Sequence, residues 1–228
     1  MKRSEINRII DESISFIEEM GFKTPEWVKW KLPQWKAHKD ELDEIIDNML
    51  GWDVTDFGSG DFLKEGLIML NLRNGNFTNK EKYKKPYAEK ILITEENQVT
   101  PTHFHWSKME DIINRGGGTL IVELWNSTPD EEKASSDVLA RVDGILTTVK
   151  AGGSIELKPG QSITLEPETY HRFYGKPGTG RILIGEVSSV NDDNIDNRFY
   201  ENLPRFPELI EDEPADYILI TEYKEMLK

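Results

Sequence analysis

Two histidines separated by one residue, His103 and His105, give the strongest chemical signal in the sequence. Glu110 follows five residues after the second histidine, and His171 lies in a later strand-like segment. The chain has four histidines and no cysteine, so three of the four fall in segments that could converge on one ion. Imidazole is the commonest protein ligand for transition metals. The spacing therefore predicts a metal site built from His103, His105, Glu110 and His171.

Strand geometry explains how these side chains would meet. Residues two apart in a β-strand point to the same face, so His103 and His105 would face a core while Phe104 points away. Three imidazoles and one carboxylate leave positions open on a six-coordinate ion, where oxygen atoms of a substrate can bind. A histidine pair on a surface strand is the simpler alternative, and the remote His171 argues against it.

Composition limits the classes of protein to consider. A length of 228 residues fits one large domain, and the absence of cysteine rules out disulfides and thiolate nucleophiles. The formal net charge of −14 argues against a general surface for nucleic acids or anionic membranes. No apolar run reaches the ~18 residues of a membrane-spanning helix, and the first residues lack a signal-peptide core. We expect a cytoplasmic protein.

The elements that would position the site change character near residue 51. Residues 1–51 predict a helical extension: one helix capped by Ser4 and ending at Gly21, and a second from Pro33 to a stop at Gly51. Residues 52–228 contain many short strands between Gly- and Pro-rich turns, which indicates a β-sandwich or barrel with an irregular C-terminal tail. We expect one structural domain, mainly β, with the helices packed on the strands. The clearest strands are predicted at residues 66–72, 90–94, 119–125, 162–165 and 181–187.

The metal-binding pattern resembles two signatures of the cupin superfamily. Residues 99–105, then Glu110 and Gly116, resemble the first signature. Gly160, Pro167 and His171 resemble the second, although the usual glycine between that proline and histidine is absent. The resemblance implies a double-stranded antiparallel β-barrel with the metal inside, usually in a homodimer.

Within that superfamily the chain is similar to the D-lyxose ketol-isomerases. The similarity rests on residues 87–93 and 103–118, and residues 1–4 and 191–194 fit the same family. The family interconverts D-lyxose and D-xylulose, generally with Mn²⁺, and some members accept D-mannose, whose ketose is D-fructose. The resemblance thus implies a small-molecule sugar as substrate and Mn²⁺ as cofactor, with Co²⁺ as another possible ion.

Such an isomerase would bind O1 and O2 of the sugar to the metal, which stabilises the charge of an enediolate. It also needs a base near C2 and a proton donor near the carbonyl oxygen. Glu110 is one candidate base, although a carboxylate bound to metal is a poor one. A hydride shift is the other possible route.

Lys90 and Asp193 are the further candidates for catalysis. On strict alternation Lys90 shares a face with Leu92 and Thr94, so it could reach inward and bind a sugar hydroxyl. The alternative is an exposed lysine at the end of a strand. Asp193 could approach the mouth of the barrel, although acidic turns are usually solvated.

Three other functions share the same residues. An iron-dependent cupin dioxygenase can use a similar histidine and glutamate site. A phosphosugar isomerase is a second alternative, although the acidic balance disfavours a phosphorylated substrate. A non-catalytic sugar-binding cupin is the third, and such proteins often lack the ligand residues that this chain keeps.

Overall fold

The computed structural model describes residues 1–190 and 192–228. Within those ranges the chain forms four α-helices, two short 3₁₀ helices and thirteen β-strands. The α-helices are α1 (Arg3–Glu19), α2 (Leu32–Ala37), α3 (Asp43–Asp47) and α4 (Tyr223–Met226), and the 3₁₀ helices are Glu26–Lys29 and Lys39–Glu41. The strands are β1 (Gly51–Thr55), β2 (Leu67–Arg73), β3 (Tyr87–Thr94), β4 (Val99–Phe104), β5 (Glu110–Gly117), β6 (Leu120–Asn126), β7 (Val138–Val142), β8 (Ile145–Val149), β9 (Ser154–Leu157), β10 (Ser162–Leu165), β11 (Thr169–Gly175), β12 (Ile182–Ser189) and β13 (Arg198–Phe199).

The strands form two antiparallel sheets. The larger sheet has the order β1-β2-β3-β12-β5-β10-β7-β8, and the smaller has the order β13-β4-β11-β6-β9. Side chains from both sheets share one apolar core, which includes Leu92 of β3 and Phe173 of β11. The prediction of a mainly β, antiparallel fold with helices at the N-terminus is confirmed. The sheets form a sandwich rather than the closed barrel that the resemblance implied.

The alternation along β3 separates two environments. Leu92 joins the core between the sheets, whereas Ile91 and Ile93 join a second core on the outer face of the larger sheet. Helix α1 covers that outer face with an isoleucine stripe that includes Ile6 and Ile10. The helix therefore leaves the inner face, where Lys90 lies, to the functional site.

The two predicted helices differ from the structure in their details. Helix α1 begins at Arg3, and Ser4 binds Asp212 through its backbone nitrogen and hydroxyl instead of capping the helix. The single helix predicted from Pro33 is broken into α2, a 3₁₀ turn and α3. The break lies in a polar, exposed stretch, so no packing favours a continuous helix there. It allows Trp35 and Leu42 to pack together on the C-terminal segment at Ile218 and Ile220.

Within residues 1–190 and 192–228, none of the helices has both the length and the hydrophobicity needed to span a bilayer.

Candidate metal centre and sugar cavity

Strand pairing in the smaller sheet brings three histidines together. His103 of β4 stands opposite His171 of β11, and their ring centroids are 4.3 Å apart. The ring of His105, just beyond the end of β4, lies 5.0 Å from that of His103 and 5.7 Å from that of His171. All three side chains are buried. The spacing that suggested a common face for the pair therefore places both rings beside the remote third one.

Backbone carbonyls orient each imidazole ring. The Nδ1 atoms of His103, His105 and His171 lie 2.7, 2.7 and 3.0 Å from the carbonyl oxygens of Pro101, Asp196 and Thr169, respectively. A carbonyl only accepts hydrogen bonds, so each Nδ1 carries the proton and each Nε2 keeps a free lone pair. One nitrogen of each ring lies within 4.8 Å of those of the other two. The three rings can therefore bind one metal ion through Nε2.

The lowered pKa values of His103 and His105 also fit a metal ion. Burial lowers the pKa of His103 well below its usual value, and the neighbouring His171 and His105 lower it further. Burial, followed by the charge of Lys108, lowers the pKa of His105. A histidine must be neutral to bind a metal, so these effects keep His103 and His105 ready to do so at neutral pH.

Glu110 joins the cluster from the other sheet. It is the first residue of β5, and its Oε1 lies 3.2 Å from Nε2 of His171 and 3.5 Å from Nε2 of His105. Its Oε2 lies 2.6 Å from Nζ of Lys108. Burial raises the pKa of Glu110, but Lys108 and His105 outweigh it and hold that pKa well below its usual value. The side chain is thus an anionic oxygen donor next to two of the imidazoles.

Buried groups of alternating charge extend from Glu110 across the inner face of the larger sheet. Oε1 of Glu186 lies 2.9 Å from Nζ of Lys108 and 3.3 Å from Nζ of Lys90. Nζ of Lys90 is in turn 3.6 Å from Oδ1 of Asp193. Four carboxylates alternate with three cations along the chain of ion pairs Glu110, Lys108, Glu186, Lys90, Asp193, Arg205 and Asp53.

Lys90 and Asp193 both lie at this site. Lys90 is 2% exposed and faces inward from β3, as strict alternation predicted. The alternative of an exposed lysine at a strand end is wrong. Asp193 is buried against Lys90 and Arg205, which hold its pKa far below the usual value although burial opposes them. Asn191, the first residue of the segment that fitted the family, lies outside the described residues.

The altered second signature keeps the turn before His171. Glu168, near the place of the missing glycine, adopts a left-handed conformation with φ of 61°. Its backbone nitrogen donates a hydrogen bond of 2.8 Å to the carbonyl oxygen of His105. The two signatures are therefore joined directly, and a non-glycine residue takes the conformation that glycine would adopt more easily.

The three histidines, Glu110 and the neighbouring ion-paired side chains line one cavity between the two sheets. Aromatic and aliphatic side chains, including Phe57, Leu92 and Phe173, form one part of its wall. The three histidines and the buried ion pairs form the rest. A small cavity with a few charged groups among apolar walls suits a small polar substrate such as a sugar.

Lys108, Glu186, Asp53 and Arg205 were not predicted as part of the site. Two of them carry a signal in the sequence, since Lys108 is two residues before Glu110 and Glu186 interrupts the apolar strand β12 on the face of Ile184. Arg205 lies in an irregular segment, where no periodicity indicates which way a side chain points.

Comparisons with known proteins agree with this geometry. The family model for D-lyxose isomerase matches residues 1–223. Among curated proteins, the D-lyxose/D-mannose isomerase of Escherichia coli O157:H7 is 46% identical over 226 residues, covering 99% of each chain. The enzyme of the same name from Serratia proteamaculans is 45% identical over 224 residues, covering 98% of each.

A solved structure supports the fold. The L-ribose isomerase of Acinetobacter sp. DL28 superposes with a TM-score of 0.58 at 14% identity, covering 90% of this chain and 94% of its own. At that identity the likeness shows the fold alone, a sandwich of two antiparallel sheets. The family match and the near-complete coverage at 45–46% identity establish the relationship. The chain belongs to the D-lyxose isomerase family.

Proposed function

We propose that this protein is a metal-dependent aldose–ketose isomerase that interconverts D-lyxose and D-xylulose, and also D-mannose and D-fructose. The observation that carries the proposal is the triad of His103, His105 and His171, whose ligand atoms lie within 4.8 Å of one another at a cavity that also holds Lys90 and Asp193. Curated relatives at 45–46% identity carry the name D-lyxose/D-mannose isomerase.

The metal would be held by the three histidines through Nε2 and by Glu110 through Oε1. A set of three imidazoles and one carboxylate suits Mn²⁺, with Co²⁺ as an alternative. When bound, the ion would act as a Lewis acid on the carbonyl and the adjacent hydroxyl of the sugar. The carbonyls of Pro101, Asp196 and Thr169 would keep the three rings in the correct tautomer and orientation.

Lys90 is proposed as the proton donor to the carbonyl oxygen. Its Nζ lies between Oε1 of Glu186 and Oδ1 of Asp193, at 3.3 and 3.6 Å, so the ammonium is fixed in the cavity wall. Moving the carbonyl from C1 to C2 transfers a proton between the two sugar oxygens, and a fixed ammonium can deliver and recover it.

Asp193 is proposed as the base that carries the proton between C2 and C1. Glu110 is less suited, because its Oε1 beside His171 and His105 would bind the metal, and a carboxylate bound to metal is a poor base. The Asp193 carboxylate lines the cavity beside Lys90, the proposed proton donor. Transfer between C2 and C1 by one carboxylate would proceed through an enediol.

The ion pairing also favours an unphosphorylated substrate. A phosphate site needs cationic groups that are free to bind an anion. Here Nζ of Lys90, Nζ of Lys108 and Nη2 of Arg205 each lie against buried carboxylates, which balance the three positive charges. The cavity can therefore bind neutral hydroxyl groups more readily than a phosphate.

We further propose a cytoplasmic homodimer. Support for a dimer comes from the outer face of the larger sheet beyond α1, where Tyr87, Val187, Leu139 and Leu146 are 42–64% exposed. Exposed apolar side chains on a sheet face occur at surfaces that pair with another protein. Light scattering would test this, with a mass near twice 26.3 kDa expected and a mass near 26.3 kDa contradicting it.

The experiment for the function removes and restores the metal. Protein stripped by a chelator is supplied separately with Mn²⁺, Co²⁺, Zn²⁺ or Mg²⁺ and given a panel of aldoses under anaerobic conditions. We expect D-xylulose from D-lyxose only after a metal is restored, and most with Mn²⁺. Oxygen-dependent product formation would indicate a dioxygenase, and binding of D-lyxose without any ketose would indicate a sugar-binding protein.

A further inference from the structure

Of the two terminal nitrogens of the Arg205 guanidinium, Nη2 is paired with carboxylates and Nη1 has no partner among the described residues. Nη2 lies 2.5 Å from Oδ2 of Asp53 and 3.3 Å from Oδ2 of Asp193. Nη1 is buried and has no hydrogen-bond partner among the described residues. An unsatisfied buried donor destabilises a protein, so such a group in the wall of a cavity points to a polar ligand. Arg205 lines the same cavity as the three histidines.

The surroundings of Arg205 hold the guanidinium in place. The buried carboxylate of Asp53, in the middle of β1, fixes Nη2. Next in sequence, the ring of Pro204 packs so closely on Gly58 that a Cβ there would lie 2.7 Å from Pro204 Cγ. The guanidinium carbon also lies 4.8 Å from the ring centroid of Phe206. Nη1 is therefore a fixed donor rather than the end of a mobile side chain.

Arg205 lies on the far side of Asp193 from Lys90. Lys90 contacts Oδ1 of Asp193, whereas Arg205 contacts Oδ2. Along the ion pairs, four residues separate Arg205 from Glu110. A sugar whose carbonyl end lies at the histidines and Glu110 would thus bring its remote hydroxyl groups towards Arg205.

A second unused polar atom lines the same cavity. Thr100, on β4, is 3% exposed, and its Oγ1 has no hydrogen-bond partner among residues 1–190 and 192–228. A hydroxyl can donate and accept, so it matches the hydroxyl of a sugar. Two unpaired polar atoms in one small cavity indicate a ligand that carries several hydroxyl groups.

We propose that Arg205 is a substrate-binding residue whose Nη1 donates a hydrogen bond to a sugar hydroxyl remote from the carbonyl, with Asp53 as its positioning residue. This inference rests on the proposed isomerase function and assigns to that site a recognition element for the non-reacting end of the substrate. Loss of a hydrogen bond from a charged donor weakens binding about 10- to 100-fold, so Arg205 would contribute substantially to the specificity constant.

The test combines a conservative variant with substrates that lack single hydroxyl groups. In Arg205→Lys the one ammonium remains paired with Asp53 and Asp193, so no donor stands at the position of Nη1. We expect kcat/KM for D-lyxose to fall about 10- to 100-fold, mainly through KM. The Arg181→Lys variant, at the surface ion pair with Glu95, serves as the matched control and should retain wild-type kinetics.

Deoxy sugars identify the bound hydroxyl. For wild-type protein, kcat/KM should fall by a similar factor on one of the 3-, 4- and 5-deoxy derivatives of D-lyxose. Removing the same hydroxyl should lower kcat/KM of Arg205→Lys by less than about threefold. The assignment would be overturned if the effects of the substitution and of the missing hydroxyl multiplied on every derivative. An unchanged KM in Arg205→Lys would also overturn it. Metal content and melting temperature of the variant show whether it is folded. If Arg205→Lys does not fold, Asp53→Asn replaces it and should also raise KM, whereas an unchanged KM would overturn the assignment.

The two proposals fail in different ways. Wild-type protein that is loaded with metal and converts no aldose would refute the isomerase function. An active wild-type protein whose Arg205→Lys variant has the same KM refutes only the role of Arg205.

Discussion

Lys90 and Glu186 stand directly opposite each other on β3 and β12, and Nζ of Lys90 lies 3.3 Å from Oε1 of Glu186. Both side chains are almost completely buried. The same Glu186 oxygen also lies 2.9 Å from Nζ of Lys108, which contacts Glu110. A buried carboxylate between two ammonium groups therefore connects the candidate metal site to the proposed proton donor.

Replacing Lys90 with methionine should abolish most of the activity without removing the metal. The variant loses the proposed donor, and general acid catalysis contributes about 10²- to 10⁴-fold, so kcat should fall within that range. Metal content should remain at the wild-type level, because the described ion pairs connect Lys90 to Glu110 only through Glu186 and Lys108. Loss of metal together with activity would contradict this role.

Replacing Asp193 with asparagine should stop the exchange of substrate hydrogen with solvent. The amide keeps the shape of the side chain but cannot accept a proton from carbon. Wild-type protein in deuterated water should incorporate deuterium at C1 or C2, and Asp193→Asn should show a rate at least about 100-fold lower. The Glu186→Gln variant is the control for loss of one buried charge. Turnover by wild-type protein with no deuterium incorporated would instead indicate a hydride shift.

The metal-free protein should lose stability as the pH falls from about 7 to 5. The pKa values of His103 and His105 are lowered from 6.5 in the folded state, chiefly by burial. Below pH 6.5 the unfolded chain takes up protons that the folded chain does not, so the free energy of unfolding decreases by up to about 1.4 kcal/mol per pH unit for each histidine.

Urea denaturation of chelator-treated protein across this pH range measures the effect. The His103→Gln variant removes one of the two groups and should show a shallower dependence on pH. An unchanged slope in that variant would show that His103 does not contribute.

Breaking the buried ion pairs of Arg3 should destabilise the fold. Arg3 is fully buried at the start of α1 and contacts Glu222 and Glu211 near the other end of the chain. Removing one partner of a buried pair leaves an uncompensated charge, so Arg3→Met should lower the free energy of unfolding by about 3 kcal/mol.

Arg8 provides the matched control on the same helix. It is 57% exposed and pairs with Glu12 one turn further on, so Arg8→Met should change stability by less than about 0.5 kcal/mol. Urea denaturation of both variants makes the comparison. Equal changes in the free energy of unfolding for the two variants would show that the ion pairs of Arg3 do not stabilise the contact between the two ends of the chain.

Short-range patterns predicted much of this structure. The alternation along β3 predicted that Lys90 faces inward, and the spacing of His103 and His105 predicted that both rings face the same side. These predictions succeeded because side-chain direction in a strand follows from the backbone alone. The prediction of one continuous helix after Pro33 was wrong because tertiary packing of Trp35 and Leu42 overrides the local helical pattern.

The rest of the site depends on contacts between distant parts of the chain. Arg205 reaches Asp53 across 152 positions, and Lys108 reaches Glu186 across 78. No local pattern encodes such pairs, because each requires the two sheets and the C-terminal segment to be assembled first. The sandwich, too, depends on which strands pair, and periodicity along one strand does not determine that.

The most direct test of the metal-dependent isomerase measures bound metal and D-xylulose formation together in wild-type protein and in His171→Ala. Both proteins are stripped, reloaded with Mn²⁺, desalted and assayed with D-lyxose. We predict about one Mn²⁺ per chain and rapid ketose formation for the wild type, because three imidazoles and a carboxylate complete the site. His171→Ala should lose both together. Full activity in His171→Ala, or in wild-type protein without metal, would contradict the account.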